Sequence, residues 1–172
     1  LPREVAKQFL NNYHPQNYTN DLKRYGLYYN DILVEVMTFN KPRFNKKYEW
    51  ELVRVCAKPG YHIIGGSAKL LHKFKIDTNP VNLIVYCDLS KLSGKLYENL
   101  GFTLLRAAAP ARHWYNPKVN RHITDAFLWR KGFDRLFGTD YGKTASNTKL
   151  MLEHGFVEIY DCGQATYVWN KQ

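Results

Sequence analysis

The chain has 172 residues, 45% hydrophobic and 15% aromatic, with 25 Lys and Arg against 15 Asp and Glu for a net charge of +10. That length suits one domain with a single core, and the composition excludes a disordered chain. No apolar run approaches the length of a membrane helix, and no signal peptide is visible. The positive charge points first to nucleic acid as a partner, then to a phosphorylated cofactor, and last to solubility alone.

The chain opens at Leu1 without a Met, as a trimmed domain or a fragment of a longer protein would. Arg3 to Asn12 has Val5, Ala6, Phe9 and Leu10 at helical spacing and predicts an amphipathic helix ending near Asn11. A polar loop, Tyr13 to Lys23, follows with Pro15 as a breaker. Tyr25 to Tyr29 and Ile32 to Phe39 read as strands joined by a tight turn at Asn30-Asp31. Asn40 to Lys47 is a basic loop, and Tyr48 to Ala57 the next strand. Ile64 to Phe74 reads as a helix, Val81 to Cys87 as a buried strand, Ser93 to Leu100 as a short helix stopped by Gly101, and Phe102 to Leu105 as a strand.

From Arg106 the composition turns basic and aromatic. Gly155 to Tyr160 and Thr166 to Trp169 read as a terminal pair of strands turning at Cys162-Gly163. The segments LYENLGFTLL and LMLEHGFVEIY each run from a helix through Gly-Phe into a strand, a reuse of one connection. Two copies are too few for a solenoid. The expected organisation is a single domain over 1–172, with a core over 25–105 and the basic aromatic segment and terminal strands over 106–172.

The turn Gly65-Gly66-Ser67 opens a helix just after a strand. Free N–H groups and the positive end of the helix dipole meet there and make an anion site. Glycines also let a backbone approach phosphate oxygens closely. The bland alternative is a βαβ unit whose glycines only close a tight turn. Cys56, Cys87 and Cys162 have no metal or redox spacing, and Cys56 and Cys87 in apolar runs read as buried reduced thiols of a cytoplasmic protein. His62, His72, His113, His122 and His154 form no metal spacing with them, so no metal is expected.

The ordered set of strand, glycine turn, helix, strand and LYENLGF resembles the GNAT acyltransferase superfamily. The resemblance implies a mixed α/β (α+β) fold with a central, mixed, mostly antiparallel twisted sheet flanked by helices. It also implies that acetyl-CoA or another acyl-CoA is bound along a bulged strand and the following turn. Cys56, Ala57, Gly65, Gly66, Ser67 and Ala68 are the residues this places at the cofactor. Here the turn has His62 where Gln or Arg is usual and Ser67 where Gly or Ala is usual. Over most of its length the chain further resembles a phage GNAT-like domain found alone or attached to homing-type nucleases, distantly similar to the phage Mom proteins that modify adenine in DNA. That resemblance implies His14, Arg54, Asp88 and Tyr97 as catalytic positions, with Glu51 beside Arg54, and a bacterial host cytoplasm as the location.

Each residue also has a plainer role. Glu51 and Arg54 stand three apart on a strand and face opposite ways unless a bulge intervenes. Arg54 then binds an anion or orients Asp88, or the two form a structural pair. Asp88 ends a strand, placed as a general base or as a cap before Ser90. Tyr97 suits a general acid for a leaving thiolate, or is simply half-buried. His14 is a proton acceptor near a cleft or an exposed loop residue. For nucleic acid the candidates are Lys41, Arg43, Lys46 and Lys47, then Arg112, Trp114, Lys118, Arg121, Arg130 and Lys131. Around the second group Trp129, Phe127 and Phe133 are interleaved, either to stack on bases or to fill a core. Three functions follow: an acyl-CoA-dependent transferase modifying a nucleobase amine in DNA, a non-catalytic DNA-binding module of a phage nuclease, and an acyltransferase on a protein or small amine.

Overall fold

The computed structural model describes residues 1–128, 132–138 and 147–171. Trp129, Arg130 and Lys131 lie outside the described residues. The elements run α1 (Arg3–Tyr13), β1 (Lys23–Tyr29), β2 (Ile32–Asn40), β3 (Trp50–Ala57), α2 (Gly66–Thr78), β4 (Asn82–Asp88), α3 (Lys95–Asn99), β5 (Thr103–Ala108), β6 (Arg112–Asn116), β7 (Arg121–Thr124), α4 (Asp125–Phe127), α5 (Phe133–Phe137), α6 (Asn147–Glu153), β8 (Val157–Tyr160) and β9 (Gln164–Asn170). No helix among the described residues is long and apolar enough to cross a membrane.

The chain divides into two compact units, Leu1–Ala107 with Ala165–Gln172, and Ala108–Gln164. The first holds a six-stranded sheet in the order β1-β2-β3-β4-β9-β5. The first three strands are antiparallel and β3 with β4 is parallel, so the sheet is mixed and flanked by helices, the expected fold class. The turn residues Asn30 and Asp31 both take positive φ, 46° and 62°, the left-handed pair that a two-residue hairpin requires. The core packs α2 on the sheet, with Phe39 stacked on Phe74 at 3.6 Å and Trp50 edge-on to Phe74 at 5.4 Å. On the opposite face Ala6, Phe9 and Leu10 of α1 bury against Val36 and Cys56.

One irregularity decides the geometry of β3. Thr38 faces Arg54 and Phe39 faces Leu52, so Val53 is an extra residue, a β-bulge. The bulge resets the alternation. Leu52 faces the α2 core, while Glu51, Arg54 and Cys56 share the α1 side.

The second unit has a three-stranded antiparallel sheet, β7-β6-β8. Its core gathers Trp114, Ile123, Leu128, Leu150, Met151 and Phe156. β8 and β9 do not pair with each other: β8 joins β6, and β9 enters the six-stranded sheet between β4 and β5. The expected terminal hairpin is therefore corrected. Gly163 between them takes φ 82°, but the two strands lie in different sheets. The reused connection is present in both units. Phe102 N–H donates to Tyr97 O at 3.0 Å and Phe156 N–H to Met151 O at 2.9 Å, each past a left-handed glycine, Gly101 and Gly155.

Candidate active site

β3 and β4 are in register at only two pairs, Trp50 with Leu83 and Glu51 with Ile84. β3 continues to Ala57 and β4 to Asp88 without further pairing. Two parallel strands thus part at the bulge, and their C-terminal ends frame a gap. Leu83, Val85 and Cys87 belong to the α2 core, so Ile84, Tyr86 and Asp88 face the same side as Glu51 and Arg54.

Three of the four candidate catalytic residues meet around this gap, held by the loop after α1. Arg54 Nε donates to Asn17 O at 3.0 Å and Nη2 to Gln16 O at 3.4 Å, while Nη1 donates to Val53 O at 2.9 Å. Gln16 Nε2 donates to Asp88 Oδ2 at 3.2 Å. His14 Nδ1 accepts from Gln16 N–H at 3.1 Å. The fourth, Tyr97, is buried in the core beside Cys87 and Tyr167, near enough to Arg54 to feel its charge. Gln16 links β3 and β4 and carried no sequence signal, because one amide in a polar loop has no pattern.

The electrostatics divide the roles. Burial, then the charges of Arg54 and Lys91, lowers the His14 pKa to about 4, so the ring is neutral at pH 7. With Nδ1 accepting, its proton sits on Nε2, which presents a donor. Burial, then the Cys87 thiol, pushes Tyr97 up to about 12, partly offset by Arg54, so its hydroxyl keeps its proton. Burial lowers the Arg54 pKa, with Arg43 acting in the same direction. Among the described residues Arg54 forms no salt bridge; its hydrogen bonds go to three carbonyls. Asp88 is an acceptor at the mouth, taking Ser90 N–H at 3.0 Å and lying 3.7 Å from Lys91 Nζ. It therefore caps its own turn and also faces the gap. The buried Thr38 hydroxyl, opposite Arg54 in register, has no hydrogen-bond partner among the described residues.

Glu51 is 1% exposed and is claimed by Arg43, not Arg54. Arg43 Nη2 lies 2.6 Å and Nε 2.9 Å from Glu51 Oε1, and Arg43 N–H donates to Oε2 at 2.9 Å. The expectation of Arg43 as a free phosphate contact is corrected in part, since its charge is engaged by a buried carboxylate.

The glycine turn has an inner and an outer side. Gly65 takes φ 74° and meets no atom, and Ile64 beside it is 99% exposed, so the outer side is open. Inside, any Cβ on Gly66 would strike Glu35, Ile63 and Leu27. Glu35, 3% exposed, accepts the Ser67 hydroxyl, and burial raises its pKa. The Ser67 side chain therefore points inward, which leaves only its backbone N–H for a cofactor, and Gly66 is small so that β2 can approach α2. The N–H groups of Ser67 and Ala68 still lack intrahelical acceptors, as first-turn groups do. Glu35 was missed, although a charge inside the apolar run ILVEVMTF is a legible flag. The Cys56 side chain packs under α1 with its thiol pushed by burial to about 11, which leaves only its backbone for a ligand; Ala57 is exposed at the end of β3.

Of the expected nucleic-acid residues, Lys41, Lys46, Lys47, Lys118 and Arg121 are exposed. Trp114 is 0% exposed and donates through Nε1 to Asp125 Oδ1 at 2.8 Å. It fills the second unit's core and is not open to stacking on a base. Arg112 is held by Asp125 at 3.0 Å and Glu158 at 3.2 Å, with Thr148 at 3.1 Å. Glu158 is far along the sequence, which hid this neutralisation from a local reading of charge.

Among solved structures, the chain is similar to an acetyltransferase of Bacillus subtilis in complex with CoA, at 14% identity and a TM-score of 0.48, covering 99% of this chain and 84% of that one. No family model and no curated protein matches the chain.

Proposed function

We propose that the first unit is a GNAT-like, acyl-CoA-dependent transferase that modifies a nucleobase amine. One observation carries the reading: β3 and β4 part at a bulge, with Arg54, Asp88 and His14 around the opening and Tyr97 in the core within reach of the Arg54 charge. Acyl-CoA is a substrate here and brings the thioester-bound acyl group. The unpaired edge of β3 beyond Val53 offers peptide groups to an extended arm. The open outer side of the Gly65 turn, with the Ser67 and Ala68 N–H groups, offers an anion site.

In the reaction an amine nitrogen bonds to the acyl carbon, and the carbon–sulfur bond breaks. Asp88 takes the proton released from nitrogen. Tyr97, protonated at neutral pH, supplies one to the leaving sulfur. Arg54 and the Nε2–H of His14 favour negative charge in the opening. The acceptor class follows from the charge of the unit, which holds 17 Lys and Arg against 9 Asp and Glu for a net +8.

A second reading is a DNA-binding module without catalysis, attached to a nuclease. Its support is the inward turn of Ser67 onto Glu35, which takes a donor away from the anion site. A thermal-shift titration with acyl-CoAs and with DNA separates the readings. The transferase is expected to respond to both ligands, the module to DNA alone, and an acyltransferase on a protein or small amine to acyl-CoA alone. Within the transferase reading, Tyr97→Phe is expected to slow transfer by about a hundredfold or more with acyl-CoA affinity unchanged. Absence of acyl-CoA binding overturns the reading.

A further inference from the structure

The basic loop between β2 and β3 carries an aromatic ring that is largely open to solvent. Phe44 is 72% exposed and meets Tyr86 edge-on at 5.6 Å. The loop around it is fixed. Before Phe44, Arg43 is bound through its backbone and guanidinium to buried Glu51. After it, Asn45 turns the chain, its Oδ1 accepting Lys47 N–H at 3.2 Å and its carbonyl accepting Tyr48 N–H at 3.4 Å. Lys41 lies 4.2 Å from the centre of the Trp50 ring and donates to Glu49 O at 3.3 Å. Lys46 bonds Pro42 O within the loop. A segment anchored on both sides of an exposed ring loses little freedom when that ring is covered.

The surroundings select what covers it. Lys41, Lys46 and Lys47 are exposed in the same loop, and the Arg43 guanidinium lies 5.6 Å from the centre of the ring. Glu51, the carboxylate that holds Arg43 of this loop, is buried and already paired. An aromatic face among cations suits a base with its phosphates, since every base has a stackable face and the lysines track the backbone. The position is also specific. Tyr86 and Asp88 are two residues apart on one face of β4, about 7 Å along the strand.

We infer that Phe44, backed by Tyr86 and flanked by Lys41, Lys46 and Lys47, is a stacking platform for an unpaired base of a single-stranded or locally opened nucleic acid, beside Asp88. This deepens the transferase reading and rests on it only for what happens at Asp88. An acidic polypeptide is the competing occupant, and it would use the lysines without needing the ring.

The test is fluorescence anisotropy with a labelled single-stranded oligothymidine, its duplex and polyglutamate, on the wild-type chain, Phe44→Ala and Phe44→Trp. Phe44→Ala is expected to weaken single-strand binding at least fivefold, to leave the salt dependence unchanged, and to spare the duplex. Phe44→Trp is expected to restore binding. The idea is overturned if Phe44→Ala binds single strands within twofold of wild type, if single strand and duplex weaken equally, or if polyglutamate binds as tightly as the oligonucleotide. Circular dichroism of Phe44→Ala checks the fold, which an exposed ring does not support. Acyl-CoA thermal shift is read on the same variants. A wild-type chain that binds no acyl-CoA but shows the Phe44 effect defeats the transferase and leaves the platform standing; the reverse pattern defeats the platform alone.

Discussion

The two units use the same helix–Gly–Phe–strand connection and carry very different excesses of positive charge. In each, the Phe after the glycine enters its own core, Phe102 in the first and Phe156 in the second. In the second unit Arg112 is held by Asp125 and Glu158, Lys149 by Glu153, and His113 by Asp161. That unit holds eight Lys and Arg against six Asp and Glu, a net +2. In the first unit Arg54 sits half-buried on carbonyls alone, beside a gap in the sheet. Basic letters are about equally frequent in the two units, yet the acidic letters that offset them are more frequent in the second. An interface is marked by what stays unpaired and exposed after folding.

The sharpest way to break this comparison is Trp114→Ala. If Trp114 is core, the second unit loses about 3–5 kcal/mol and the Asp125 carboxylate loses a donor. Chemical denaturation measures it. A loss of nucleic-acid affinity with stability intact would restore Trp114 as a stacking residue. Next is Gly66→Ala, which forces Glu35 from α2 and is expected to cost about 1–3 kcal/mol. Pairing it with Glu35→Ala should recover part of that loss in a double-mutant cycle, and strictly additive costs would show that the two residues are not in contact.

Charge substitutions sharpen the contrast between units. Lys46→Ala with Lys47→Ala should lower the salt slope of nucleic-acid binding by up to about two. Lys118→Ala with Arg121→Ala should lower it less. Equal effects would return the second unit to the interface.

The smallest effect concerns His14, whose pKa is lowered from 6.5 to about 4 by burial and two cations. The unfolded chain binds that proton first as pH falls, so stability drops between about pH 6.5 and 4. With the ring partly exposed the drop is on the order of 1 kcal/mol. His14→Gln should flatten thermal melts across that range. An unchanged pH profile would place His14 in solvent.

Local rules made much of the first unit readable. Asn30-Asp31 gave the hairpin, apolar runs gave β2 to β4, and LYENLGF gave α3 with its glycine stop. The bulge was reachable only through resemblance, because one inserted residue leaves no mark in an apolar run. Yet Val53 is what brings Glu51 and Arg54 to one face. The site was half legible. Asp88 and Arg54 stand out in the sequence, but their link through Gln16 and the capture of Glu51 by Arg43 depend on loops closing over the sheet. Strands β6 and β7 were missed. Arg121 to Thr124 is too short for a periodic signal, and its partner was masked by basic residues that read as surface.

The position of β9 bears on how the site is made. The chain leaves the first sheet after β5, builds 57 residues of second unit, and returns as β9 between β4 and β5. Tyr167 of that strand packs against Tyr97 at 5.6 Å and fills the space that Gly94 leaves open. The tyrosine proposed as acid therefore gains its backing only when a strand some seventy residues downstream is inserted. Long-range pairing of this kind is slow, so the sheet edge at β4 stays open while the insertion is traversed. The contact that closes the sheet and the one that backs Tyr97 are thus made by the same strand.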